Sequence, residues 1–166
     1  IRPIWTLARK EWRWVGNSPW PDVKLPPKGH ARTKLTTWRE VRKLVRSVGY
    51  RADMAPRNAK QQTMWVYMVA LHTALRSGEV LRMSRSTVDL KKRIYKLGSH
   101  KTEEHVGARV VPLPRRVAKL LKVLDADAAA HGRDDYFSIS DQSRDVHWRT
   151  VRDRLMIEGL NFHDSR

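Results

Sequence analysis

The sequence contains no cysteine. Disulfides, thiolate zinc sites and a cysteine nucleophile are therefore excluded, and the absence fits a reducing cytoplasm. No run of apolar residues approaches the roughly 20 that a membrane-spanning helix needs. The opening residues, IRPIWTLARKEWRW, are interrupted by charges and lack the apolar segment of a signal peptide. The sequence does not begin with methionine, so we expect its first residue to be internal to a longer chain.

Short motifs that mark several enzyme classes are also missing. There is no Gly-x-Ser-x-Gly elbow and no P-loop, so hydrolase and nucleotidase functions have no support in the sequence. The seven histidines are dispersed, and no two have the i, i+4 spacing of a zinc protease motif. We therefore expect no metal site.

Acidic residues are scarce, with 17 Asp and Glu against 34 Lys and Arg, for a formal net charge of +17. A field of this size opposes a compact state unless a polyanion relieves it. Nucleic acid is the favoured partner, because each neutralised phosphate releases counterions. A basic surface without a partner is one alternative. An anionic membrane is a weaker one, since no basic amphipathic helix has a broad, purely apolar opposite face.

Prolines divide the chain into segments. Residues 17–32 contain four prolines within NSPWPDVKLPPKGHAR, which predicts an extended, semi-rigid linker. Residues 1–16 are predicted to be the last helix of an upstream domain, and residues 33–166 the main domain. The apolar stripe of the first helix consists of Trp5, Ala8, Trp12 and Val15.

The first half of the main domain has the apolar spacing of helices. Thr37 and Glu40 have the spacing of a capping box, which predicts a helix that Gly49 closes. Its buried stripe should be Trp38, Val41, Leu44, Val45 and Val48. A longer helix is predicted over 58–75, and another begins after the Leu75–Arg76 corner. The inner face of the longer helix should be core, formed by Met64, Tyr67, Met68, Leu71, Ala74 and Leu75.

The second half begins with three short strand-like runs, at 86–90, 93–99 and 108–113, which predict a small antiparallel sheet with a polar hairpin. The domain is thus predicted to be mainly α with a small β-sheet. A helix should follow Pro114, with an apolar face of Val117, Leu120, Leu121 and Leu124. A last helix is predicted over 144–157, marked by Val146, Val151 and Leu155 and ended by Gly159.

A dispersed set of polar residues could carry chemistry. Arg76 stands at a helix corner with Glu79 three residues later, Lys101 stands in the hairpin, and His163 and Arg166 share the last turn. Taken singly, each has an ordinary explanation. The first two could form an i, i+3 ion pair, Lys101 could be a solvated charge, His163 a cap and Arg166 a surface residue.

Taken in order, these residues resemble the catalytic domain of the tyrosine site-specific recombinases, the phage integrase family. The family has Arg-x-x-Glu in a segment like ALRSGEVLRM, then a Lys on a β-hairpin, then an apolar residue and His-x-x-Arg, as in LNFHDSR. The resemblance extends from about Thr33 to the end. It implies the DNA breaking-rejoining fold, with residues 1–32 joining a core-binding domain to the catalytic domain.

The sequence departs from the family in two places. Ser165 stands where the family usually has Leu, before the second arginine. The family's tyrosine nucleophile and a further His or Trp donor lie downstream of His-x-x-Arg, whereas the four tyrosines here, at 50, 67, 95 and 136, all precede it. We therefore expect a catalytic domain that is incomplete at its C-terminus and binds DNA without cutting it.

The resemblance implies metal-free and cofactor-free phosphoryl transfer in double-stranded DNA, through a 3′-phosphotyrosyl intermediate. Arg76 and Arg166 would hold the scissile phosphate, since guanidinium groups stay charged and bind phosphate oxygens bidentately. Lys101 would protonate the leaving 5′-oxygen, His163 would assist at the phosphate or the nucleophile, and Glu79 would support Arg76.

The resemblance also implies partners and a location. These are double-stranded DNA, other copies in a tetrameric synaptic complex, accessory DNA-bending proteins, and the cytoplasm of a bacterial host, as for a phage or prophage integrase. The fragment should be monomeric without DNA. Two alternatives remain: a non-catalytic DNA-binding protein or decayed integrase, and an RNA-binding protein, which would need exposed aromatics on a sheet.

Overall fold

The computed structural model describes residues 2–16, 35–98 and 109–165. The chain divides into two compact units, Ile1–Thr33 and Lys34–Arg166. No helix in the described ranges is both long and apolar enough to pass through a membrane.

In the first unit, the described residues form one helix, α1 (Arg2–Lys10). Arg13 has a φ of +54°, and the Trp14 N–H donates back to the Ala8 carbonyl at 3.0 Å. A left-handed residue followed by such a backward hydrogen bond ends a helix. The predicted helix over 1–16 is therefore too long, and Trp12 and Val15 lie beyond its end.

The second unit is mainly α with a small antiparallel sheet, as predicted. Its helices are α2 (Trp38–Ser47), α3 (Ala59–Thr73), α4 (Ser77–Leu81), α5 (Arg115–Ala130) and α6 (Asp141–Arg154), followed by a 3-10 turn (Phe162–Ser165). Its strands are β1 (Val88–Asp89), β2 (Ile94–Leu97) and β3 (Arg109–Pro112).

The start of α2 has the predicted capping box. Thr37 Oγ1 accepts from the Glu40 N–H at 3.3 Å, and Glu40 Oε2 accepts from the Thr37 N–H at 2.9 Å. Val41 and Leu44 are buried, but Trp38 is 53% exposed, so the predicted buried stripe begins one turn later.

Helix α3 lies at the centre of the unit. Every residue from 63 to 70 is buried, because α3 contacts α2, α4, α5, α6 and the 3-10 turn. The predicted one-sided inner face is therefore too narrow. Ala74 was expected to be in the core but is exposed, since its left-handed φ of +56° ends the helix and turns the chain toward α4.

The sheet has the order β1-β2-β3, with both pairs antiparallel. On the central strand β2, Tyr95 pairs with Val88 on one side and Val111 on the other. Tyr95 and Leu97 are buried while Lys96 is exposed, which gives the sheet one face toward the core. The predicted hairpin tip, at residues 99–108, lies outside the described residues.

Helices α5 and α6 complete the unit. α5 follows Pro114 and buries the four residues predicted for its apolar face. α6 starts at Asp141, earlier than predicted, and ends at Arg154, well before Gly159. Val146, one of the three apolar residues that marked this helix in the sequence, is 57% exposed. The buried stripe of α6 is instead Arg144, Trp148 and Val151, in which an arginine occupies a core position.

Candidate active site

The Arg76–Glu79 pair lies at the sharp corner between α3 and α4. Arg76 is the N-cap of α4, and its backbone N–H donates to Glu79 Oε2 at 2.8 Å. Its Nη1 donates to Glu79 Oε1 at 3.2 Å. The Glu79 side chain is only 5% exposed and that of Arg76 is 52% exposed. A buried carboxylate thus holds both the backbone and the guanidinium of Arg76, while half of the Arg76 side chain stays accessible.

Tyr95 connects this corner to the sheet. Its hydroxyl donates to the Glu79 carbonyl oxygen at 2.8 Å, and burial raises the pKa of Tyr95 to about 12. Residue 101 follows the same strand, β2, four positions after its last residue. Lys101 itself lies outside the described residues.

His163 lies in the 3-10 turn after α6. Phe162, just before it, is buried and packs edge-on against the rings of Tyr67 and Trp148, with centroids 5.4 and 5.2 Å away. His163 is exposed. The packing of Phe162 in the core therefore holds the turn in place and leaves the His163 imidazole at the surface.

Hydrogen bonds fix the same turn from both sides. Asp164 Oδ2 accepts from the Asn161 N–H at 2.7 Å, which closes the turn locally. Thr36 Oγ1, just before α2, donates to the Asp164 carbonyl oxygen at 3.1 Å. Arg166 and the side chain of Ser165 lie outside the described residues.

Asp141 contacts the segment that carries Arg76 and, within α6, the buried Arg144. Its Oδ1 accepts from Ser77 Oγ at 3.0 Å and from Arg144 Nη2 at 2.8 Å. The pKa of Asp141 lies below its usual value. Burial by itself would raise this pKa, but the hydrogen bonds from Arg144 and Ser77 and the charges of Arg144 and His163 outweigh it. The carboxylate therefore contacts the residue after Arg76 directly, and its partner Arg144 lies over the ring of Phe162, the residue before His163.

The sequence reasoning did not identify Ser77, Tyr95, Asp141 or Arg144 as part of this site. The one local signal for the last two is the start of α6, where Ser140 caps the helix and Asp141 and Arg144 stand at i, i+3. That signal predicts a helix-surface ion pair. It does not predict a buried arginine between two predicted catalytic segments.

A second basic feature is the outer face of α2. Four exposed cations follow each other along it, at i, i+3, i+4 and i+7: Arg39, Arg42, Lys43 and Arg46. In the part of the chain that the structure describes, none of the four is paired with a carboxylate. We call this set the α2 basic face. By contrast, Arg149 on α6 is paired with Asp145.

The model of the phage integrase family matches residues 34–165. The chain belongs to the phage integrase family. The matched region runs from just before α2 to the 3-10 turn, and so includes Arg76, Glu79 and His163.

Two curated relatives align with this integrase-family chain along its whole length. One is a Haemophilus influenzae protein named as an integrase/recombinase, 28% identical over 166 residues, of which the alignment covers 52%. The other is the shufflon-specific DNA recombinase of Escherichia coli, 29% identical over 170 residues, with 39% of that protein covered. The chain thus spans about half or less of the length of these relatives.

A solved structure shows the same fold. The integrase from mycobacterium phage Brujita superposes with a TM-score of 0.56 at 15% identity, covering 98% of this chain and 51% of that one. The mainly helical architecture with a three-stranded antiparallel sheet is that of the tyrosine recombinases, as the sequence resemblance predicted.

Proposed function

We propose that residues 33–166 form the catalytic domain of a site-specific DNA recombinase that cleaves and rejoins strands through a 3′-phosphotyrosyl intermediate. The observation that carries the proposal is the approach of two distant segments through α6: Asp141 accepts from Ser77, next to Arg76, and Arg144 lies over the ring of Phe162, next to His163. This arrangement occurs in a chain whose family model covers the same residues.

The proposed roles follow from the charges. Phosphoryl transfer in DNA develops negative charge on the non-bridging phosphate oxygens, and fixed cations stabilise it. Arg76 suits this role because its guanidinium is anchored by a buried carboxylate yet half exposed. Arg166 would be the second guanidinium at the phosphate, and Lys101 would be the general acid for the leaving 5′-oxygen. His163 would donate a hydrogen bond to the phosphate or assist proton transfer at the nucleophile.

The nucleophile is proposed to be a tyrosine outside this sequence. The four tyrosines present have raised pKa values, caused first by burial, and three of their hydroxyls are engaged with Thr36, Glu79 and Asp125. A buried phenol that resists ionisation is a poor nucleophile for an external phosphate. Alone, this chain should therefore bind DNA and leave it uncut.

The wider assembly is proposed from the family. Residues 1–16 would end a core-binding domain, and residues 17–32 would link it to the catalytic domain. Double-stranded DNA, further copies in a tetrameric synaptic complex and accessory DNA-bending proteins would be the partners, in the cytoplasm of a bacterial host. No cofactor is required by the proposed chemistry.

The test is covalent trapping by the full-length protein on a nicked suicide DNA duplex. Arg76→Ala should keep DNA affinity and lose covalent complex, because removing one such contact costs about 3–4 kcal/mol of transition-state stabilisation, or roughly 10²–10³ in rate. Arg149→Ala removes an exposed arginine that is paired with Asp145 within α6, and it serves as the matched control. An Arg76→Ala protein that forms the covalent complex at the parental rate would refute the assignment.

A non-catalytic DNA-binding role is the second candidate, favoured by the absence of an accessible tyrosine hydroxyl among the four present. It predicts that the full-length protein binds duplex DNA with strong salt dependence and forms no covalent complex on any suicide substrate.

A further inference from the structure

Arg144 is an arginine in a core position. The residue is 4% exposed, although arginine is almost never fully buried unless it is paired. Its Nη2 and Nε donate to Asp141 Oδ1 at 2.8 and 3.3 Å, and its Nη1 lies 3.5 Å from Asp145 Oδ1. Its guanidinium carbon lies 4.5 Å from the centroid of the Phe162 ring. The carboxylates thus pair with the edge of the Arg144 guanidinium, and the aromatic ring of Phe162 packs against its face.

Two of the three partners of Arg144 connect it to the two segments of the proposed site. Phe162 precedes His163 directly. Asp141 accepts from Ser77, which follows Arg76 directly, at 3.0 Å. An unbroken path of contacts, Ser77–Asp141–Arg144–Phe162, therefore runs from the residue after Arg76 to the residue before His163. Neither Asp141 nor Arg144 has to contact DNA for this path to hold.

We propose that Asp141 and Arg144 form a positioning pair, which sets the placement of His163 relative to Arg76 on a shared phosphate. This inference rests on the proposed recombinase function. Stability alone is a weak reason for burying an arginine, because well-packed apolar residues of similar volume often serve as well or better. The planar guanidinium does what an apolar residue cannot, since it fixes a carboxylate edge and a ring face at one defined angle.

The pair should act on the rate of strand cleavage and leave DNA affinity unchanged. A displacement of about 1 Å at a reacting group lowers catalysis by roughly 10²-fold. In the full-length protein we expect Arg144→Met to reduce the rate constant for covalent complex formation by roughly 10²-fold, with the DNA dissociation constant changed less than about threefold. Arg144→Lys, which keeps the charge and loses the planar fork, should fall between this variant and the parent.

Two further variants keep the test decisive if Arg144→Met folds poorly. Asp141→Asn is nearly isosteric at a side chain that is 61% exposed, and Ser77→Ala removes one hydroxyl. Both should slow cleavage at constant DNA affinity. Val151→Ala is the matched structural control, since Val151 lies on the same helix and is 4% exposed but is outside the path. It should lower the melting temperature and leave the cleavage rate at the parental value.

The outcomes separate the two proposals. If the parent cleaves and the Arg144 and Asp141 variants cleave at its rate, losing only thermal stability as Val151→Ala does, the positioning pair is refuted and the recombinase function stands. If Val151→Ala slows cleavage as much as Arg144→Met, the effect belongs to general stability, and the pair is again refuted. If the parent protein binds DNA but never forms the covalent complex, the recombinase proposal itself fails, and the inference fails with it.

Discussion

Replacing Glu79 should destabilise the domain by more than the loss of a helix cap. Glu79→Ala removes the acceptor of the Arg76 backbone N–H, an interaction of the N-cap class worth about 1 kcal/mol. It also removes the acceptor of Arg76 Nη1. Because the Arg76 side chain is half exposed, solvent screens this ion pair, and the pair contributes under about 1 kcal/mol. The sum is about 1–2 kcal/mol, which for a chain of this length lowers the melting temperature by roughly 2–8 °C.

The assay is thermal and urea unfolding of the 166-residue chain, followed by circular dichroism at 222 nm. Asn58→Ala is the matched control, because Asn58 caps α3 by accepting from the Gln61 N–H at 2.9 Å and has no ion pair in the described structure. It should cost about 1 kcal/mol. Glu79→Gln keeps an acceptor for the backbone N–H and should lie between the parent and Glu79→Ala. If Glu79→Ala unfolds at the same temperature as Asn58→Ala, the double role assigned to this carboxylate is wrong.

Three further predictions address the tyrosines, a strained turn and the α2 basic face. The pKa of Tyr95 is about 12, and burial raises the pKa of the other three tyrosines. The neutral phenols should therefore stabilise the fold below pH 10, and this contribution should be lost as the pH rises toward 12. Absorbance at 295 nm should show little phenolate at pH 10 unless the chain unfolds first. Met156 is 88% exposed with a φ of +51°, so Met156→Gly should raise the free energy of unfolding by about 0.5–1 kcal/mol in urea melts, and an unchanged midpoint would contradict this. If the α2 basic face contacts phosphates, the double variant Arg42→Ala and Arg46→Ala should reduce the slope of log DNA affinity against log salt concentration by about 2. Arg149→Ala, which removes an arginine paired with Asp145, should leave this slope nearly unchanged.

Local signals in the sequence predicted local structure well. The capping box of Thr37 and Glu40, the helix after Pro114 with its four apolar residues, and the small antiparallel sheet depend on short-range chemistry, and the structure confirms each. The family was also identified correctly from the order of its motifs.

Burial was predicted less well, because it depends on neighbours distant in sequence. A helix with partners on every side has no periodic polar face. The sequence pattern therefore predicted a single buried face for α3, whereas every residue from 63 to 70 is buried. On α6, the apolar Val146 is exposed and the charged Arg144 is buried, because Asp141 pairs with the guanidinium and the Phe162 ring covers it. The contacts between α4, α6 and the 3-10 turn depend on three segments that no local pattern connects.

The hydrogen bond between Thr36 and Asp164 has a consequence for the order of events during synthesis. It joins residues 128 positions apart, so it brings together the beginning and the end of the second unit. A ribosome releases the N-terminal residues first, and a contact of such high sequence separation requires both of its ends to have been synthesised. Arg76 and Glu79 can reach their corner while the chain is still growing, but the His163 turn cannot be locked until nearly all of the unit has emerged. The two segments that we propose to share a phosphate therefore come together only after the second unit has emerged from the ribosome.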